Sequence, residues 1–167
     1  MKFVNRILKK DPDYAELLGS VEKNRLPLVC TGLSLVHKAA VISALFEHTG
    51  RHIAVVTNDE ASANELRDDL QSLGLKAVNF PLRDYCIGPL SGYSREYEHK
   101  RTDTLSALSD GAFDVLTVSL DAAIQYTVPP ETLNRARLTL KTGDTVNIKE
   151  LTERLVNAGY VRVPLCE

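Results

Sequence analysis

The stretch Leu28–Phe46, LVCTGLSLVHKAAVISALF, decides the fold. It reads as a short apolar strand, a turn and an apolar helix. The turn is Gly32-Leu33-Ser34-Leu35-Val36-His37-Lys38-Ala39. Laid on G-x-x-x-x-G-K-[ST], the loop that cradles phosphate, the first glycine and the lysine fall in register. His37 stands where the motif has its second glycine, and Ala39 stands where it has serine or threonine. A histidine brings a Cβ and a ring into a cradle built for bare backbone. A methyl cannot take the place of the hydroxyl that ligates Mg²⁺. The stretch therefore reads as a nucleotide-loop scaffold with a degraded phosphate site at Gly32, His37, Lys38 and Ala39.

Outward from this turn, apolar runs and helical stripes alternate. Leu26–Cys30 reads as a first buried strand and Ser34–His48 as its helix, with Leu35, Ala39, Ile42 and Phe46 on one stripe and Gly50 closing it. His52–Thr57 is a second strand. Asp59 caps a helix that faces inward through Ala63, Leu66, Leu70 and Leu73 and ends at Gly74. Ala77–Phe80, a Pro- and Gly-rich loop over Pro81–Gly92, a polar helix from Ser94, the strand Phe113–Ser119 and a short helix Asp121–Tyr126 follow. Such β-α alternation predicts a parallel sheet covered by helices on both faces, an α/β class. Upstream, Phe3, Ile7 and Leu8 lie on one helical face, and Pro12 suits the first turn of a second helix.

After Val128-Pro129-Pro130, read as a break, the style changes. Arg137–Leu140 alternates like a half-exposed strand. Asn147 caps an amphipathic helix Ile148–Ala158, Gly159 stops it, and Tyr160–Pro164 begins another strand. The expected organisation is a domain over residues 1–134 and the opening part of a second, α+β domain over residues 135–167.

Composition narrows the function classes. The chain has 167 residues, a quarter of them charged, and a formal net charge of -2. That balance argues against a surface coated for nucleic acid. No apolar run approaches the roughly 18 residues of a membrane span, and MKFVNRILKK has too short an apolar part for a signal peptide. Cys30, Cys86 and Cys166 are widely spaced, without a C-x-x-C pair. They suggest neither a zinc site nor a disulfide framework, so a cytoplasmic protein with incidental thiols is expected. No Cys or second His stands at ligand spacing from His37, so no metal is expected. Asp114 and Asp121 have no acid-base partner, and no nucleophile-base arrangement is visible, so no catalytic residue is assigned. Tyr85, Tyr93 and Tyr97 interleave with Arg83, Arg95, Lys100 and Arg101, a pattern that can stack bases and grip phosphates. Asp84, Glu96, Glu98 and Asp103 dilute its charge.

Several stretches together resemble the N-terminal module of bacterial transcription-repair coupling factors, itself similar to the excision-repair protein UvrB. They are Gly32-Leu33-Ser34 with His37-Lys38-Ala39, Val55–Glu60, Phe80-Pro81 with Tyr85, the Ser94–Leu108 helix ending Asp110-Gly111, and Leu151–Tyr160. The resemblance runs from about Asp13 to Arg162. UvrB keeps an intact phosphate loop, an adenine-reading Gln upstream of it, and a long aromatic hairpin after its third strand. Here the loop is degraded, the first Gln is Gln71, and Pro81–Gly92 is too short for the hairpin. These departures favour the coupling factor. The resemblance implies a RecA-like sheet without ATP hydrolysis or a cofactor of its own, while ATP and Mg serve motor domains elsewhere in the full-length protein. It implies UvrA as a partner of the domain beginning near Arg137, and RNA polymerase and double-stranded DNA as partners of other domains. The docking pattern Gly-Tyr-x-Arg is matched by Gly159-Tyr160-Val161-Arg162, which names Tyr160 and Arg162 as partner-binding residues. An arginine suits that role because its planar fork grips carboxylates bidentately. The alternative is a nucleotide-binding fragment of a UvrB- or helicase-type ATPase, with Lys38 on the phosphates.

Overall fold

A computed structural model describes residues 6–83, 96–161 and 163. The chain divides into two compact units, Met1–Gln125 and Tyr126–Glu167, each described here by itself.

The first unit is α/β. Helix α1 (Pro12–Glu22) starts where Asp11 accepts the amides of Asp13 and Tyr14, with Pro12 in the first turn, where its missing N–H costs nothing. Helix α2 (Leu35–Thr49) is capped by Ser34 and ended by Gly50 in the left-handed region, φ 63°. Strand β1 (Ile53–Thr57) leads to α3 (Glu60–Ser72), capped by Asp59. Strand β2 (Ala77–Phe80), helix α4 (Glu96–Ser109), strand β3 (Val115–Ser119) and the short α5 (Leu120–Ala123) follow. The three strands are parallel in the order β1-β3-β2, with Ile53 and Ala77 both opposite Val115.

Residues alternate between the faces of β3, so its two sides feed two cores. On one side Val115 and Ala77 pack with Leu66 and Leu70 of α3 and Ala39 of α2. On the other, Phe80 and Val118 pack with Ala122, Leu105 and Leu116. Helices therefore flank both faces. Thr117 is fully buried, and its hydroxyl lies 3.2 Å from the Asn79 side-chain oxygen. Asn79 in turn donates to Asn64 (3.1 Å), so the side chains of buried Thr117 and of Asn79 are both partnered.

The structure differs from the sequence expectation at Leu26–Cys30. These residues carry no strand ladder, and Leu28 and Val29 are exposed, Val29 at 89%. An apolar run signals a tendency to extend and be buried, but it does not supply a partner edge, and Pro27 has no N–H to give.

In the second unit, α6 (Pro130–Ala136) is a helix that the sequence reading does not assign, starting on the last residue of the expected Val128-Pro129-Pro130 break. Pro130 begins it, the position at which proline favours a helix. Arg137–Leu140 forms no strand despite its alternation. Helix α7 (Ile148–Asn157) is capped by Asn147, whose Oδ1 accepts the amides of Lys149 (3.0 Å) and Glu150 (3.5 Å). Past it, Tyr160, Val161 and Val163 lie outside any strand.

Candidate functional site: the Gly32–Ala39 turn

Gly32 has φ 79°, a conformation that a side chain would strain. The chain then turns at once into helix. Ser34 caps it, so Leu35, Val36 and His37 form the first turn of α2. The His37 amide points at Ser34 Oγ (3.5 Å), and the Lys38 amide donates to the Ser34 carbonyl (2.9 Å). The His37 ring closes back on the same cap, with Nδ1 3.0 Å from Ser34 Oγ. Two amides that a phosphate loop would present to an anion are thus directed to Ser34. The Lys38 side chain is exposed. Ala39 is 1% exposed, and its methyl belongs to the core around Leu66, Leu70, Ala77 and Val115.

Tyr160 follows Gly159, the φ 95° residue after α7, and is 67% exposed. Arg162 lies outside the described residues. So do Tyr85, Tyr93 and Arg95 of the aromatic-basic pattern. The described cations of that pattern are engaged within the chain. Lys100 pairs with Glu96 at 2.7 Å, and this contact raises the Lys100 pKa and lowers that of Glu96. Arg83 lies 3.7 Å from Glu98. Arg101 is 7% exposed, stacks on Phe80 with its Cζ 4.0 Å from the ring centroid, and donates to the Pro81 carbonyl and to Gln125 Oε1. Asp114 holds the sheet, since its Oδ2 accepts the Lys76 amide at 2.7 Å. Among the described residues, no group of three His, Cys, Asp or Glu could hold a metal ion. No described helix is long and apolar enough to cross a membrane.

No protein-family model and no solved structure matches the chain. Curated proteins do. The match to the transcription-repair-coupling factor of Staphylococcus aureus (strain USA300) covers 97% of this chain at 26% identity over 164 residues. That of Bacillus subtilis (strain 168) also covers 97%, at 24% identity over 165 residues. The chain resembles a transcription-repair-coupling factor. It spans 14% of the length of these relatives, so the likeness is to a piece of the coupling factor.

Within this coupling-factor-like piece, sequence reasoning missed Gln125. Its amide accepts from the Arg83 amide (2.9 Å) and donates to the Arg83 carbonyl (3.1 Å), while also receiving Arg101. It fixes the chain at the C-terminal end of the sheet, where Glu60 also accepts the Leu82 amide (3.2 Å). A glutamine just past a short helix carries no periodic signal. Nor does the pair Tyr14 and His48, 34 residues apart, whose hydroxyl and Nδ1 meet at 2.7 Å to pin α1 on α2.

Proposed function

We propose that this chain is a catalytically silent, protein-docking segment of a transcription-repair-coupling factor. Its first unit is a RecA-like scaffold whose phosphate site has been lost. Its later part, from about residue 135, belongs to a domain that recruits the damage-recognition ATPase UvrA, with Tyr160 and Arg162 on the docking surface. In the full-length protein, a separate motor would use ATP and Mg to translocate on double-stranded DNA and act on stalled RNA polymerase. The likeness to coupling factors over 97% of the chain is the observation that carries the reading. The winding of Leu35–His37 into α2 and the burial of Ala39 support the silence of the loop. The second reading, a nucleotide-binding ATPase fragment, is favoured only by the exposed Lys38 near a helix N-terminus.

Titration with a fluorescent ATP analogue and Mg²⁺ separates the two. The silent segment binds no tighter than about 100 µM, roughly 5.5 kcal/mol. Tighter binding that Lys38→Ala abolishes would overturn the proposal. For the partner, a version extended past Glu167 is expected to retain UvrA in a pull-down and to lose it with Arg162→Ala. Failure to bind, or binding unchanged by the substitution, rejects the docking assignment.

A further inference from the structure

The first unit contains a groove unrelated to the phosphate-loop turn's chemistry. It is a cavity of about 440 Å³ between α1, the extended residues 28–33 and α2. Its floor is apolar, with Leu17, Leu28, Leu33 and Val41 contributing. Its α1 side is acidic: Asp13 and Glu16, three residues apart and therefore on one helix face, both line it and are exposed. Among the described residues neither carboxylate has an ion pair. Asp11 adds a third carboxylate, already turned to the α1 amides. Among the described residues, no lysine or arginine lines the groove. Tyr14, 4% exposed, joins α1 to His48 of α2 and so ties two of the groove's walls together.

From this geometry we infer that the groove docks a short apolar peptide segment of a partner protein, flanked by lysine or arginine. Apolar side chains would cover the Leu28 and Leu33 floor, removing exposed hydrocarbon from water. The flanking cations would meet Asp13 and Glu16, fixing the register of the peptide and excluding acidic sequences. An acidic peptide would face three carboxylates with no counter-charge among the described lining residues. The inference does not depend on UvrA docking or on nucleotide silence.

Cys30 lines the groove and is exposed, which gives a direct readout. In a Cys86→Ser, Cys166→Ser background, the rate of Cys30 alkylation by iodoacetamide reports occupancy. The probes are two synthetic amphipathic peptides of one leucine pattern, one with lysines and one with glutamates at the polar positions. The lysine peptide should slow alkylation about tenfold at ten times its Kd. The glutamate peptide should leave the rate unchanged. The double swap Asp13→Lys, Glu16→Lys, checked for fold by circular dichroism, should raise the Kd of the lysine peptide about tenfold, since two weak surface attractions become repulsions. Should the swap disturb α1, Asp13→Asn with Glu16→Gln tests the same point, with a smaller rise. Equal protection by both peptides, no protection by either, or protection indifferent to these charges would overturn the inference.

Discussion

Ala39 occupies the place of the motif's metal-binding hydroxyl, yet its methyl is 1% exposed among Leu66, Leu70, Ala77 and Val115. Restoring the motif with Ala39→Thr puts a hydroxyl and an extra methyl into packed hydrocarbon. The expected result is a loss of about 1–3 kcal/mol in urea denaturation, with no gain in nucleotide affinity. Unchanged stability with new Mg²⁺-dependent binding would contradict it. Tyr14 gives a second residue-scale test. Burial, aided by the negative charge of Glu47, pushes its pKa up to about 12. The unfolded chain ionises this phenol near pH 10, so the folded state holds the extra proton between the two values. The contribution of Tyr14 to stability is complete below about pH 10 and is lost as pH rises through the folded value. Tyr14→Phe should flatten the fall in stability from pH 10 upward, seen as a smaller drop in the thermal midpoint. An alkaline profile identical to that of the native chain would count against it.

At the scale of elements, the sequence was legible wherever the signal was local. Asp59, Gly50 and Gly74 mark helix ends through side-chain capping and positive φ, which need only neighbours in sequence. Ala77–Phe80 is a strand with the bounds its sequence predicts. The misreadings concern partners. Leu26–Cys30 and Arg137–Leu140 have strand-like patterns, but a strand exists only when another lends it hydrogen bonds. Pro130 was ambiguous in the opposite sense, since proline ends one helix and opens the next. In the candidate site, the start of α2 at Ser34 was legible from the helical stripe, while the Ser34 cap itself emerges only in the structure. The core position of Ala39 was half legible, as a stripe residue whose packing against β2 and β3 no local pattern specifies. Capping of α7 is local, and Asn147→Ala should cost about 1 kcal/mol, read as reduced helicity and an earlier unfolding midpoint. The Gln125 contacts are not local. Gln125→Ala removes the acceptor of the Arg83 amide and should speed hydrogen exchange there, leaving β3 protection unchanged.

Taken whole, the molecule concentrates its burial in one of its two units. Leu70, Val115 and Thr117 are completely buried, as are Ala44, Ala63 and Ala122. In the second unit, no described residue from Tyr126 to Val161 is buried; Leu133, Leu138, Leu151, Leu155 and Ala158 reach only partial cover. Free energy from apolar burial scales with area removed from water, and each ordered residue costs roughly 1–2 kcal/mol of backbone entropy. A unit with so little hidden hydrocarbon opposes that cost weakly. Local opening free energies should therefore differ sharply along the chain. Hydrogen exchange followed by mass spectrometry should find α7 amides exchanging by low-energy opening, while amides of β3 and α3 exchange only near the global unfolding free energy. Under denaturant, far-ultraviolet circular dichroism should lose the α6 and α7 signal before the sheet unit unfolds. Equal protection of α7 and β3, with one coincident transition for both, would mean that residues 126–161 gain their stability from contacts other than burial within their own unit.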